Sequence, residues 1–216
     1  MKKVPNISYS LLASLGKEKN LSNALFSISN TGIDMIHYDV SDNEATLHLK
    51  DVKKLKKCTF LPFDIHISTK DPIPMFKNVV LDKTDRVAIH VECGYDLETI
   101  TAFKKKLGCQ LGLALNIETP IDSLLPYMDH IDYVLFMAVT PGVSGMAFAE
   151  ATLSKLAEFR KAFPYFSITI DGGITDKTAY IVKGFDPDVL VSGSFILKDQ
   201  NYGKQVFKLI GQDLNL

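Results

Sequence analysis

Four residues in this chain have types and spacings that could do chemistry: His37, Asp39, His66 and Asp171. Each stands at or just past the C-terminal end of a short apolar run. Those runs are MIHYDV (35–40), PFDIHI (62–67) and SITIDGG (167–173). Two imidazoles and two carboxylates are a sufficient ligand set for one divalent metal. Two carboxylates on opposite sides of a substrate can also take a proton from carbon and return one. The four are far apart in sequence, so the fold must gather them. A closed parallel barrel does this, because all its strand C-termini open onto one face.

The spacing recurs. His37 and Asp39 are two apart, so they share one side of a strand. Asp64 and His66 repeat that arrangement on the next strand, and His90 and Glu92 on the one after. An ionisable side chain pointing into a barrel is costly without a partner. Any single pair could be a buried hydrogen bond and no more. Three successive pairs, with Asp171 added, point to a shared polar centre. A second cluster is glycine-rich: TPGVSGMAF (140–148), IDGGIT (170–175) and VSGSF (191–195). These follow the expected sixth, seventh and eighth strands. Barrels often bind phosphate after the last two strands, where glycines let backbone N–H groups approach an anion.

The elements that must position these residues are legible as apolar runs. Strands are expected at 5–10, 33–39, 59–66, 85–91, 109–115, 131–137, 166–171 and 188–192. Most are nearly continuous Val, Ile, Leu and Phe, as in parallel strands buried on both faces. Helical spacing predicts a helix over 21–32 that ends at Gly32. A second, over 95–108, has Asp96 and Glu98 first and Lys104, Lys105 and Lys106 last, before Gly108. A third, over 119–129, takes Thr119 as cap and Pro120 as its first helical position. A fourth, amphipathic, covers 149–163. Strand and helix alternating about eight times means an α/β chain. An open doubly wound sheet fits the alternation too. The number of repeats, the spread of polar strand ends and the lack of GxGxxG after the first strand favour a (β/α)8 TIM barrel. No linker divides residues 1–216, so one domain is expected.

Composition narrows the function. The 216 residues are 46% hydrophobic and 23% charged, enough for a large core. A net charge of −1 gives no electrostatic case for binding nucleic acid or an anionic membrane. No apolar stretch approaches the roughly 20 residues of a membrane span. The start, MKKVPNISYSLLASLG, is interrupted by Pro5, Asn6 and three serines, and reads as a first strand rather than a signal peptide. Three cysteines, Cys58, Cys93 and Cys109, without a CxxC pair, fit a reduced cytoplasmic setting.

Taken together, IHYDV (36–40), FDIHI (63–67), IHVE (89–92), LALNIETP (113–120), VLFMAVTPGVSG (134–145) and ITIDGGI (168–174) resemble the ribulose-phosphate 3-epimerases, in order and across nearly the whole chain. The resemblance implies a (β/α)8 barrel holding one divalent metal on His37, Asp39, His66 and Asp171. Zinc is the expected ion, with iron, manganese or cobalt as the other candidates. It implies that Asp39 and Asp171 are the two acid–base residues. It places substrate and phosphate contacts on Ser8, Gly142, Ser144, Gly145, Gly173, Gly193 and Ser194, with Met137 in the site wall. The implied reaction inverts C3 of a ketose phosphate, D-ribulose 5-phosphate to D-xylulose 5-phosphate. One aspartate removes the C3 proton and the other returns one on the opposite face, while the metal stabilises the enediolate as a Lewis acid. The partner is then a small sugar phosphate, and the assembly a homo-oligomer.

The chain departs from the family pattern in places. VMDG becomes Val40-Ser41-Asp42-Asn43, HLM becomes His66-Ile67-Ser68, and PGFGGQ becomes Pro141-Gly142-Val143-Ser144-Gly145-Met146. Two wall methionines are thus serines. NEATLHLK (43–50) does not resemble the family's HFVPN continuation. A less apolar wall leaves room for another substrate, a hexulose 6-phosphate such as allulose 6-phosphate. A non-catalytic sugar-phosphate-binding barrel is a third reading. A hexulose-phosphate synthase is disfavoured, because its DxKxxD signature is missing from Phe63-Asp64-Ile65-His66-Ile67-Ser68.

Overall fold

The computed structural model of the chain describes residues 4–14, 20–42, 47–139 and 146–211. Eight parallel strands pair in chain order, and the eighth returns to the first. They are β1 (Asn6–Ser10), β2 (Met35–Ser41), β3 (Phe63–Ser68), β4 (Arg86–His90), β5 (Gln110–Leu115), β6 (Tyr133–Met137), β7 (Ser167–Asp171) and β8 (Val189–Ser192). This is the expected (β/α)8 barrel. The largest shift in a strand boundary is at β3, expected from 59 and found to begin at Phe63. Pro62 precedes it and has no N–H to give to a ladder.

Six α-helices lie among the described residues: α1 (Leu21–Ile28), α2 (Leu49–Leu55), α3 (Leu97–Leu107), α4 (Ala151–Ala162), α5 (Asp176–Val182) and α6 (Tyr202–Leu209). The α3 reading holds in detail. The Asp96 side chain accepts from the Thr99 N–H at 2.8 Å, and Gly108 closes the helix at φ 68°. Helix α1 stops short of Gly32, at Ile28, where the Ser29 hydroxyl donates to the Leu25 carbonyl at 2.6 Å. The expected helix at 119–129 is instead a 3-10 segment, Ile121–His130, with Pro126 inside it. Pro126 cannot donate the backbone bond an α-helix needs there. Pro120 lies outside the segment in an extended conformation, and the Thr119 hydroxyl donates to Glu92 instead of capping. Helices α2, α5 and α6 escaped the sequence reading, and α2 begins inside NEATLHLK, the stretch that departs from the family pattern. At seven or eight residues each, they are too short for periodicity to be decisive.

One device recurs at the lower end of the barrel. The residue just before each even-numbered strand is an aspartate: Asp34, Asp85, Asp132 and Asp188. Each accepts a backbone N–H from the preceding odd strand. Asp34 takes that of Ile7 (2.7 Å), Asp85 that of Phe63 (2.8 Å), Asp132 that of Leu111 (2.9 Å) and Asp188 that of Ile168 (2.9 Å). These N–H groups stand where the ladder begins, and a carboxylate satisfies each while pinning the stagger of the two strands.

Strand sides are divided between two apolar clusters. The larger lies between the strands and the outer helices. The smaller, Ala88, Ala114, Tyr133, Leu135, Met137 and Val139, fills the barrel interior. The floor below it is polar, and the buried Tyr133 hydroxyl has no hydrogen-bond partner among the described residues. Arg86 forks onto Asp64 with contacts of 2.8 and 2.9 Å, and its guanidinium lies 4.4 Å from the Tyr133 ring centroid. Gly112 is required here, because a Cβ would come within 2.5 Å of that ring.

Candidate functional site

Strand register sets the pairs side by side. His37 is the partner of Asp64, and Asp39 the partner of His66, across β2 and β3. Asp171 reaches the same place from β7, three steps round the closed sheet by way of β8 and β1. One nitrogen or oxygen from each of His37, Asp39, His66 and Asp171 lies within 4.8 Å of the others. The four predicted ligands are therefore brought together. His37 Nε2 is 3.2 Å from Asp39 Oδ1 and 3.3 Å from Asp171 Oδ2. His66 Nδ1 is 3.4 Å from Asp39 Oδ1 and 3.8 Å from Asp171 Oδ2.

The cluster's electrostatics favour a cation. Burial alone would push the His37 imidazole down. The carboxylates of Asp39, Asp171 and Asp64 outweigh burial and hold it well above the ordinary histidine value. Burial would raise Asp39, but His37 and His66 hold it well below the usual carboxylate range. A site that keeps a proton on a buried imidazole is one a dication would relieve, by displacing that proton. The donor set fits a divalent metal.

Behind His37 the network is buried. Its Nδ1 is 2.8 Å from Asp64 Oδ2, and the Ser8 hydroxyl donates to the same oxygen at 3.2 Å. Burial acts to raise Asp64, and Arg86 followed by His37 holds it well below the carboxylate range. Ser8, expected among the substrate contacts, is thus placed differently: it is fully buried and occupied beneath the cluster. Ser10, one pleat nearer the mouth, is the β1 hydroxyl that reaches Asp39, donating to Oδ2 at 3.0 Å.

Behind His66 the network runs toward the rim. His66 Nε2 lies 2.8 Å from His90 Nε2, and His90 Nδ1 lies 3.0 Å from Glu92 Oε2. Glu92 Oε1 accepts the Asn116 N–H at 2.8 Å and the Thr119 hydroxyl. Lys155 of α4 donates to the carbonyls of Asn116 (2.8 Å), Ile117 and Thr119, pinning that turn. Ser68 stands where the family pattern has methionine, with its hydroxyl 3.3 and 3.4 Å from the two Nε2 atoms. An open cavity of about 750 Å³ adjoins this side, lined among others by Ser68, Lys70, His90, Glu92 and Asn116.

The opposite wall is made by backbone. Gly173 has φ 64°, and a Cβ there would lie 2.4 Å from the Phe148 nitrogen. At Gly193 a Cβ would lie 2.7 Å from that of Ala13. Both glycines are required by close packing, and both sit at the ends of strands as expected. Ser194 is exposed beside Gly193, and Met137 is buried in the interior cluster next to its register partner Asp171. Gly142, Ser144 and Gly145 lie outside the described residues. Sequence reasoning missed Arg86, Ser10 and Lys155. Arg86 carried a signal, a charge in an apolar strand on the same side as His90; Lys155 carried none.

Known proteins resemble this chain in sequence and fold. Ribulose-phosphate 3-epimerase of Buchnera aphidicola subsp. Baizongia pistaciae is 30% identical over 84% of this chain and 85% of its own length. That of Bacillus subtilis is 28% identical over 98% of this chain and 99% of its own. Among solved structures, KGPDC from Streptococcus mutans superposes with a TM-score of 0.70 at 17% identity, covering 96% of each chain, a likeness of fold. Residues 6–197 match the Ribulose-phosphate 3 epimerase family as a whole, and the chain belongs to that family.

Proposed function

We propose that this enzyme, an isomerase by family, epimerises C3 of a ketose phosphate, with D-ribulose 5-phosphate and D-xylulose 5-phosphate as the first pair. The observation that carries the reading is the meeting of Asp39 and Asp171, from strands three apart, at one cluster with two histidines. His37, Asp39, His66 and Asp171 would hold one divalent ion, zinc first. That ion would supply Lewis acidity beside the ketone, making the C3 hydrogen easier to remove. Asp39, ionised, takes the C3 proton from one face. Asp171, carrying a proton at that moment, gives it to the other face. In the reverse direction the roles exchange. No electrons are lost or gained, and the two acids reset by exchange with solvent.

The remaining residues bind and orient. The backbone at Gly173 and Gly193, with Ser194, is read as the phosphate clamp, together with Gly142, Ser144 and Gly145. Phosphate held there supplies remote binding energy that aligns C3 with both carboxylates. Met137 is read as site wall, excluding water from one side of the carbanion. Residues 1–216 are read as one barrel domain, cytoplasmic and assembling with copies of itself. Among the described residues no helix is long and apolar enough to cross a membrane.

A second reading, a hexulose 6-phosphate such as allulose 6-phosphate as substrate, is favoured by Ser68, which makes polar a wall that is methionine in the family pattern. Proton NMR in D2O on zinc-loaded protein separates the two. Loss of the C3 proton signal with appearance of the epimer is expected from ribulose 5-phosphate. The same result from allulose 6-phosphate alone would transfer the assignment to the hexulose. Exchange on neither sugar would leave a binding protein rather than an epimerase.

A further inference from the structure

The two candidate ligand histidines face the cluster through different nitrogens. His37 presents Nε2 and turns Nδ1 to the Asp64 carboxylate at 2.8 Å. That is direct carboxylate backing, which places the proton on Nδ1 and the lone pair in the site. His66 presents Nδ1, and its Nε2 meets no carboxylate. It meets another imidazole, His90, at 2.8 Å, with the Ser68 hydroxyl farther off at 3.3 Å.

Two facing ring nitrogens can share only one proton. A metal on His66 takes the lone pair of Nδ1, so the neutral ring carries its proton on Nε2. His90 Nε2 must then be bare and accept it. A neutral His90 with a bare Nε2 carries its own proton on Nδ1, where Glu92 Oε2 waits at 3.0 Å. Every link of the chain has one direction, from His66 outward to a carboxylate. That carboxylate is itself fixed, by the Asn116 N–H and the Thr119 hydroxyl on its other oxygen.

We propose that His90 and Glu92 form a positioning relay that keeps the His66 proton on Nε2 and so presents the His66 Nδ1 lone pair to the metal. The proposal rests on the reading of His37, Asp39, His66 and Asp171 as a metal site. Neither His90 nor Glu92 belongs to the four-residue cluster. Their effect is on how tightly the metal is held and on which nitrogens carry protons.

Two measurements test it with Zn²⁺ alone as probe. Long-range proton–nitrogen NMR of the zinc-loaded full chain, labelled at histidine nitrogens, reads each tautomer directly. The relay requires protons on His66 Nε2 and His90 Nδ1. A proton on His90 Nε2 reverses the direction and overturns the proposal. Zinc affinity by competition with a chromophoric chelator tests the energetic side. His90→Phe keeps the ring volume but cannot accept, and should weaken zinc about ten- to a hundredfold. His90→Gln restores an accepting oxygen and should recover most of that loss. Affinity within about twofold of the parent in His90→Phe, or no recovery in His90→Gln, sinks the relay. Failure of the parent itself to bind one zinc per chain would instead remove the metal site, and the relay with it.

Discussion

At the lower rim of the barrel, Asp34, Asp85, Asp132 and Asp188 each give a carboxylate oxygen to a strand N–H, whereas at the upper rim Asp39 and Asp171 turn theirs toward imidazoles. The residue type is the same and so is the kind of position, the end of a strand. The partners differ. Each lower-rim carboxylate is held by a fixed backbone N–H, and Asp85 and Asp132 also carry the ammonium groups of Lys56 and Lys104, so the fold itself supplies their partners. The upper-rim carboxylates stand close to each other around two buried rings and are balanced only when positive charge sits among them. The lower set stabilises a barrel, and the upper set stores an imbalance that binding can relieve.

Substitutions should therefore separate the two rims. The largest effect is expected at the top: Asp171→Asn should lower turnover by at least about 10³-fold while leaving the melting temperature unchanged or higher. Turnover within tenfold of the parent, read by C3–H exchange alongside circular dichroism, would break the two-acid scheme. Between the rims, Arg86→Leu leaves Asp64 buried without its cation, and should cost about 3–5 kcal/mol in denaturant unfolding. A loss under about 1 kcal/mol would show that the floor relaxes and the barrel interior is wetter than its packing implies. At the bottom, Asp132→Ala removes both the acceptor for the Leu111 N–H and the partner of Lys104, and should cost about 1–2 kcal/mol with kcat held within about twofold. A large fall in kcat there would mean that strand stagger at the base is felt at the mouth.

The smallest effect concerns acid stability. Burial would raise Glu92, but His90, then Thr119 and Asn116, pull it down to about 2 from an ordinary 4.5. Its folded value is the lower one, so its contribution is complete above the unfolded value and fades as pH falls from 4.5 toward 2. Glu92→Gln should flatten that stretch of the stability–pH curve. An unchanged slope between the two values would show that the carboxylate is already screened by solvent.

Most of the upper rim was legible because its signal is local. Alternation by two, as in His37 and Asp39 or His90 and Glu92, fixes which side chains share a strand face, and apolar flanks say that the face is buried. The barrel followed from eight such runs. What escaped was of three kinds. Ser8 was misplaced because a strand pattern gives direction but not depth, and one pleat separates a hydroxyl under Asp64 from one against Asp39. The 119–129 segment was misread because Pro120 looked like a helix start, while Pro126 forbade the helix that would follow. The glycines were legible as glycines only. That Gly173 faces the Phe148 backbone, and Gly193 faces Ala13, is information held by distant neighbours.

Lys155 places one ammonium against three carbonyl oxygens, those of Asn116, Ile117 and Thr119. A loop commonly gathers such oxygens around a potassium or calcium ion from solution. In this barrel the cation is tethered to a helix by four methylenes, and neither dilution nor a chelator can carry it off. On the reading of a metal at His37, Asp39, His66 and Asp171, stripping that ion should leave the Asn116–Thr119 turn set, and reloading should proceed at the speed of ion capture rather than of loop folding.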